Sequence, residues 1–180
     1  MKAFLSIPIT ECFTCKLTPP SGGITHYTLH FIMEFNFNDG GRAEAGYKGT
    51  TGDCVTRAVA IAAELPYKEV YDRLAEGNAK QRITKRSNKR KAGVKTASKG
   101  ISVRRKWYKD YMKELGFKWI PTMQIGSGCT VHLKADELPK GRLICHVSRH
   151  SVAVIDGVIN DTYNPSRGET RCVYGYWIKQ

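Results

Sequence analysis

The sequence lacks an apolar run long enough to cross a membrane. A spanning helix needs about 20 consecutive apolar residues, and no stretch of these 180 residues approaches that length. The opening residues MKAFLSIPITECFTC contain one lysine and no small-residue cleavage pattern, so we expect no secretory signal peptide. These absences predict a cytoplasmic protein without a membrane partner, located in the host cytoplasm if a virus encodes it.

Acidic residues are absent between Lys80 and Lys106, although twelve lysines and arginines lie there. The whole chain has 29 basic and 16 acidic residues, so this one segment carries most of the net charge of +13. We predict a basic loop over residues 78–101, whose densest part consists of Lys85, Arg86, Lys89, Arg90 and Lys91. A solvated loop is the simplest interpretation. Contact with an acidic partner, or non-specific contact with nucleic acid, is the functional alternative.

The six cysteines do not predict a disulfide framework. Disulfides stabilise small secreted domains, whereas a chain of this size can bury a sufficient core without them. We therefore expect reduced thiols. Cys129, Cys145 and Cys172 lie in apolar, strand-like segments and are predicted to be core residues.

Residues 1–32 differ from the rest of the chain because they show no clear hydrophobic period. We predict a poorly ordered N-terminal extension there, followed by one domain over residues 33–180. The extension contains a pattern similar to a zinc site, formed by Cys12, Cys15, His26 and His30. An accidental match is the preferred interpretation, because the apolar residues that normally pack such a finger are missing. We expect no metal and no organic cofactor.

Helical patterns precede strand patterns in the domain. After a short strand around Phe35 and Phe37, apolar residues recur at helical spacing over residues 54–65, 67–77 and 102–115. Segments rich in β-branched and aromatic residues then cover residues 117–120, 129–133, 142–147, 150–155, 158–163 and 171–178. This order predicts an α+β domain in which N-terminal helices pack on a C-terminal antiparallel sheet.

The dipeptide Asp156-Gly157 predicts a two-residue hairpin turn between two of these strands. That turn puts His150 one diagonal step from Asp161, within reach of an imidazole–carboxylate hydrogen bond. Cys54 opens a helix, where free backbone N–H groups lower the pKa of a thiol and can bind an oxyanion. We therefore predict Cys54 as nucleophile, His150 as base and Asp161 as orienting carboxylate.

A helix-opening cysteine followed by a histidine and an acid on adjacent C-terminal strands resembles the papain-like cysteine peptidases. The segment GDCVTRAV, residues 52–59, is similar to the nucleophile motif of the ovarian-tumour-type deubiquitinases. The segment HSVAVIDG, residues 150–157, is similar to small bacterial peptidases of the same superfamily. The whole chain also resembles small phage-encoded proteins. The resemblance implies a papain-like fold and a cysteine peptidase or isopeptidase that acts on a protein or peptide.

Other residues compete for two of the three catalytic roles. The alternatives are His146 and His132 for the base, and Asn160 and Asn164 for the orienting group. His150 is preferred because it lies at the foot of the hairpin that carries Asp161. Arg57 is predicted to pair with Asp53, four residues earlier on the same helix.

The oxyanion donors and the exact activity stay open on the sequence alone. Papain-type enzymes carry an oxyanion glutamine six residues before the cysteine, where this chain has Lys48. The expected donors are the backbone N–H of Cys54 and a second group among Thr50, Thr51 and Asn38. An amidase or acyltransferase would use the same three catalytic residues, and a catalytically inactive binding module would use the basic loop instead.

Overall fold

A computed structural model of the protein describes residues 32–83 and 93–180. The described residues form three helices, α1 (Cys54–Ala63), α2 (Tyr67–Lys80) and α3 (Lys106–Glu114). They also form six strands, β1 (Phe35–Phe37), β2 (Phe117–Pro121), β3 (Arg142–Val147), β4 (His150–Ile155), β5 (Val158–Asp161) and β6 (Val173–Lys179). The predicted α+β class is confirmed. No helix in these two ranges is long and apolar enough to cross a membrane.

One mixed sheet joins the six strands in the order β1-β5-β4-β3-β6-β2. Neighbouring strands are antiparallel, except that β1 runs parallel to β5. The C-terminal strands β2 to β6 are antiparallel, as predicted, and the N-terminal strand β1 adds a parallel edge that was not predicted. A parallel pair needs a long crossover connection, and all three helices lie in the chain between β1 and β5.

Apolar residues cover both faces of the sheet. Ile144, Ala153 and Trp177 pack with the three helices in one core. Their neighbours along the strands point to the other face, as the alternation of side chains requires, and pack in a second core with Leu133 and Leu138. The sheet is therefore enclosed by a helical layer on one face and by the segment that carries these two leucines on the other.

Helix α1 is buried almost throughout, from Val55 to Ala62. It ends at Ala63, two residues before the predicted end, because Glu64 adopts a left-handed conformation with φ 57°. Arg142, which pairs with the last residue of β4, donates to two carbonyl groups of the final helical turn at 2.6 and 2.8 Å. A cation is favourable at this negative end of the helix dipole. Because the end of α1 lies beside the end of β4, the start of α1 at Cys54 lies beside the start of β4.

Two helix boundaries differ from the predictions. Helix α3 begins at Lys106 because residues 102–105 form a turn. Helix α2 does not end at Gly77 and continues to Lys80. The glycine is needed for packing, since a Cβ at this position would lie 2.4 to 2.9 Å from three atoms of the Trp107 ring. Trp107 on α3 therefore packs directly on the backbone of α2.

Replacing Gly77 by alanine is expected to destabilise the protein by about 1–2 kcal/mol. Alanine gains about 1 kcal/mol of helix propensity over glycine, but overpacking costs typically about 1–3 kcal/mol, and the rigid indole ring has no flexible end that can move aside. Urea unfolding measures the difference. Adding Gly77→Ala to a Trp107→Leu protein should cost nothing, because the clash is then gone. A Gly77→Ala protein more stable than wild type would contradict this packing.

The final part of the predicted basic loop is packed rather than solvated. Asn78, on α2, donates to the carbonyl groups of two residues of this segment at 3.0 and 3.1 Å. Ala97 is fully buried, and Lys99 forms an isolated β-bridge with Gly52, close to the start of α1. The loop prediction is therefore wrong for residues 78–80, which are helical, whereas residues 93–101 lie outside the helices and strands. Small apolar residues among many cations give no periodic pattern that would have predicted this packing.

Residues 129–133 do not form the predicted strand and make only an isolated bridge, between His132 and Cys172. Cys129 is disulfide-bonded to Cys172, with their Cα atoms 5.8 Å apart. The prediction that both are reduced core residues is therefore wrong, whereas Cys145 is a fully buried free thiol as predicted. An apolar pattern did not distinguish a strand from an extended segment joined to a neighbouring strand by a disulfide.

Candidate active site

The first turn of α1 meets the start of β4. Cys54 is the first residue of the helix and is half-buried. The ring of His150 and the backbone N–H of Ser151 hydrogen-bond to its sulfur. Asp53 occupies the N-cap position, as predicted, but its side chain makes no cap hydrogen bond. The carboxylate therefore does not occupy the N–H groups of the first turn.

The hairpin between β4 and β5 forms with the predicted register. Ala153, Val154 and Ile155 pair with Asn160, Ile159 and Val158, respectively. Beyond the Ala153–Asn160 pair, at the end of the hairpin away from the turn, His150 Nε2 lies 2.5 Å from Asp161 Oδ2. Because Nε2 binds the carboxylate, Nδ1 is the ring nitrogen left to interact with Cys54. The structure thus brings together the three side chains that the sequence assigns to catalysis.

Burial and local interactions have opposite effects on the pKa values of Cys54 and His150. Burial raises the pKa of the Cys54 thiol, but hydrogen bonds from His150 and Ser151 and the positive charges of His150 and Arg57 outweigh it, so the pKa is lowered. Burial lowers the pKa of His150, but its interactions with Asp161 and Cys54 outweigh burial and raise it to about 9. Both shifts favour a thiolate beside an imidazolium, the reactive state of a cysteine nucleophile.

A buried group of charges connects α1 to the orienting carboxylate. Asp53 is 1 % exposed and forms ion pairs with Arg57 and with Arg42, whose Nε lies 2.8 Å from Oδ2. It also accepts a hydrogen bond from the hydroxyl of Tyr67 at 2.6 Å. Arg57 extends further, with Nη2 3.3 Å from Oδ1 of Asp161. The same helix therefore positions the nucleophile and supports the residue that orients the base.

Sequence reasoning missed part of this group. The pair between Arg57 and Asp53 is the predicted one, since a spacing of four residues is visible in the sequence. The second contact of Arg57, and the contributions of Arg42 and Tyr67, depend on how loops and helices pack. No local pattern around Arg42 distinguishes it from a solvated loop arginine.

Tyr163 was also missed and lies against the imidazole of His150, with ring centroids 5.2 Å apart. Its side chain is 51 % exposed. The two rings are tilted by 44° to each other. Tyr163 is therefore an exposed aromatic residue next to the predicted base.

The two competing histidines lie in different surroundings. Burial lowers the pKa of His146 to about 4, and its Nδ1 lies 2.8 Å from the hydroxyl of Ser151. It is therefore neutral near pH 7 and engaged by a side chain other than Cys54. His132 pairs with Glu137, with 3.1 Å between Nδ1 and Oε2. Only His150, of the described histidines, hydrogen-bonds to Cys54 and Asp161.

The competing orienting groups also point elsewhere. The amide oxygen of Asn160 accepts a hydrogen bond from the side chain of Asn36 at 2.9 Å. The amide oxygen of Asn164 accepts one from the backbone N–H of Ser166 at 2.9 Å. Asp161 is the group that contacts the imidazole of His150.

Of the three predicted second oxyanion donors, two hydrogen-bond to other groups and the third is exposed to solvent. Thr51 donates its hydroxyl to the carbonyl of Ser98 at 2.6 Å. Asn38 donates its side-chain amide to Asn160 at 3.4 Å, and Thr50 is exposed to solvent. The backbone N–H of Cys54, the first residue of α1, stays the expected donor.

Two predicted groups of residues lie outside the described ranges. Cys12, Cys15, His26 and His30 fall within residues 1–31, and Lys85, Arg86, Lys89, Arg90 and Lys91 fall within residues 84–92. The zinc-like pattern and the basic partner-binding cluster stay predictions for this reason. The same holds for the poorly ordered extension predicted over residues 1–32.

The described part of the chain thus contains a half-buried cysteine at a helix start. A histidine lowers the pKa of this cysteine, and an aspartate hydrogen-bonds to the histidine. These groups are held by two strands of one hairpin and by the first turn of α1. No protein-family model, no curated protein and no solved structure matches the chain. The chemistry of the site is therefore inferred from its own geometry and electrostatics.

Proposed function

We propose that the protein is a papain-like thiol hydrolase that cleaves a peptide or isopeptide bond. The observation that carries this proposal is the contact of Cys54 with His150 and of His150 with Asp161. The lowered pKa of Cys54 and the raised pKa of His150 support a nucleophile that is already ionised before substrate binds. The resemblance of residues 52–59 and 150–157 to cysteine peptidases supports the same chemistry.

The reaction begins when the Cys54 thiolate attacks the carbonyl carbon of the substrate. The carbonyl oxygen takes the negative charge, which the backbone N–H of Cys54 stabilises. The imidazolium of His150 then protonates the leaving amine, the carbon–nitrogen bond breaks, and a thioester with Cys54 is left. Throughout this step Asp161 keeps the ring of His150 in one orientation.

Hydrolysis of the thioester completes the cycle. The neutral imidazole of His150 takes a proton from water as the water oxygen attacks the thioester carbon. Collapse of this second intermediate breaks the carbon–sulfur bond, releases the acid product and restores the thiolate beside the imidazolium. An amine that attacks in place of water would give acyl transfer by the same atoms.

The proposal is tested with p-nitrophenyl acetate, an activated ester that acylates a thiolate without requiring the natural leaving group. We expect one rapid equivalent of p-nitrophenolate per protein and an acetyl group on Cys54 in peptide mass spectra. Cys54→Ala should slow this burst by at least roughly 10³-fold, because the nucleophile is absent. Cys145→Ala, which removes a buried thiol outside the site, is the matched control and should keep the burst.

Acetylation of another residue, or a burst that persists in Cys54→Ala, would contradict the assignment of the nucleophile. If acetyl-Cys54 forms, a library of fluorogenic peptides and isopeptides then identifies the substrate. Release of fluorophore with water alone indicates hydrolysis. Release that requires an added amine indicates an acyltransferase.

A further inference from the structure

The segment between β5 and β6, residues 162–172, contacts the surroundings of the predicted base near both of its ends. Near its start, the ring of Tyr163 lies against the imidazole of His150. Near its end, Arg171 donates a hydrogen bond from Nη2 to the carbonyl oxygen of Ser148, two residues before His150. The segment therefore brings an exposed aromatic ring and a cation to the same edge of the sheet as the base.

Strand pairing places Arg171 within a few residues' length of His150. Val147 on β3 pairs with His150 on β4 and also with Val173 on β6. Neighbouring strands lie about 4.8 Å apart, so the Cα atoms of His150 and Val173 are separated by about 10 Å. Arg171 precedes Val173 by two residues, and its side chain extends to Ser148. A peptide bound at His150 covers this separation within about three residues, since an extended chain advances about 3.3 Å per residue.

The guanidinium of Arg171 has no counter-charge in the described ranges. The residue is half-buried, and its Nε is buried without a hydrogen-bond partner. Its Nη1 is not buried and forms neither a hydrogen bond nor an ion pair with a described residue. Partial removal of a cation from water is unfavourable unless an anion compensates it. The planar fork of arginine matches a carboxylate in shape and charge, so its open end is suited to a carboxylate that arrives with a ligand.

The other charges around this arginine also favour an anion. Arg149, next to His150, and Arg167 are both exposed, and neither forms an ion pair within residues 32–83 and 93–180. Glu169 is the one acid between residues 162 and 172, and its Oε1 accepts a hydrogen bond from the backbone N–H of Met33 at 2.6 Å. The local field is therefore positive and attracts an anionic ligand.

We propose that Arg171 binds a carboxylate on the leaving-group part of the substrate. The preferred substrate is then a peptide with an acidic side chain or a free C-terminus within about three residues after the scissile bond. This inference rests on the proposed thiol hydrolase function. His150 protonates the leaving amine, so the leaving part passes beside His150 and continues toward Ser148 and Arg171. Arg171 is thereby a specificity-determining residue that acts away from the reacting atoms.

The test uses iodoacetyl dipeptides as probes, because Cys54 displaces their iodide and the dipeptide then extends in the direction of the leaving part. Iodoacetyl-Gly-Glu-amide and iodoacetyl-Gly-Gln-amide have the same shape and differ in one carboxylate. Iodoacetyl-Gly-Gly and its C-terminal amide differ in the same way at the chain end. In at least one pair we expect the wild-type protein to react about tenfold faster with the carboxylate probe, because the new hydrogen bonds are charge-assisted. Mass spectrometry of the Cys54 peptide measures each rate.

Arg171→Gln should make the two rates within that pair equal and should leave the rate of the neutral probe within about twofold of wild type. Arg73→Gln is the matched control, because it removes the same charge from α2, where Arg73 pairs with Glu114 at 3.0 Å. It should keep the wild-type preference. A preference confined to the glutamate pair identifies an acidic side chain as the bound group, and one confined to the Gly-Gly pair identifies a free C-terminus.

The outcomes separate this inference from the proposed function. Equal rates within both pairs in the wild-type protein overturn the role of Arg171, even if the neutral probes label Cys54 rapidly. A preference that survives in Arg171→Gln, or that Arg73→Gln removes as well, overturns it too. An equal slowing of neutral and acidic probes in Arg171→Gln would show that the residue positions Ser148 and His150 instead of binding the carboxylate. Neutral probes that label wild-type Cys54 no faster than an ordinary thiol contradict the thiol hydrolase itself.

Discussion

Replacing His150 by alanine is expected to slow the alkylation of Cys54 by iodoacetamide by about 30- to 100-fold at pH 7. An ordinary thiol with a pKa of about 8.5 is only a few per cent ionised at this pH. In the wild-type protein the hydrogen bond and positive charge of His150 lower the pKa of Cys54. Without them burial, which raises the pKa of Cys54, is the largest influence left, so the thiolate fraction falls.

The alkylation rate of Cys54 should depend on pH differently in the wild-type and His150→Ala proteins. Wild-type alkylation should begin well below pH 8.5 and stay high above pH 9, where His150 loses its proton but the thiolate persists. Hydrolysis of an amide should instead fall above about pH 9, because His150 then has no proton for the leaving amine. In His150→Ala, alkylation should rise only at alkaline pH.

Residue-level mass spectrometry follows the alkylation, since Cys12 and Cys15 also carry thiols when reduced. His132→Ala is the matched control, because His132 pairs with Glu137 and does not contact Cys54, and it should leave the rate unchanged. Equal rates for the wild-type and His150→Ala proteins would show that the thiol is not activated by this histidine. The proposed hydrolase would then lose its base.

The partner of the base was predictable because local turn chemistry fixes the register of a hairpin. Asp156 and Gly157 both adopt positive φ, 51° and 88°, which is what a two-residue hairpin turn requires. Once that turn is placed, counting along two strands brings His150 to Asp161. The identities of Cys54, His150 and Asp161, together with the Asp156-Gly157 turn, were therefore enough to predict the main contacts of the site.

The rest of the site was not predictable because it depends on contacts between distant segments. Arg42 and Tyr67 contact Asp53 from a loop and from another helix, and nothing in the sequence shows these contacts. The parallel pairing of β1 with β5 and the bond between Cys129 and Cys172 likewise join segments far apart in the chain. Local patterns specify elements and turns, whereas such pairings follow only from the packed fold.

Asp53 has both a locally predictable position and contacts that only the packed fold shows. Its replacement tests which of the two determines the role of the carboxylate. The sequence identifies it as an N-cap, yet its side chain faces Arg42, Arg57 and Tyr67 instead of the helix N–H groups. If it acted only as a cap, its loss would cost about 1 kcal/mol. If it neutralises buried cations, its loss removes the carboxylate partner of Arg42 and leaves Arg57 only its contact with Asp161.

Asp53→Ala is therefore expected to lower the free energy of unfolding by about 3–5 kcal/mol, the usual cost of breaking a buried ion pair. Urea unfolding followed by tryptophan fluorescence measures this change. Asp72→Ala is the matched control, because Asp72 also pairs with a cation four residues away, Lys68, but both side chains are more than half exposed. That replacement should leave stability nearly unchanged, since solvent screens an exposed pair.

A loss of about 1 kcal/mol in Asp53→Ala would match a simple cap and would remove the argument for a buried charge group. A large loss has a further consequence for the site. Arg57 would keep only its contact with Asp161, 3.3 Å away, and would be free to shift toward it. We then expect the folded fraction of Asp53→Ala to alkylate Cys54 with an altered pH profile, because Arg57 helps to lower the pKa of Cys54 and Asp161 helps to raise that of His150.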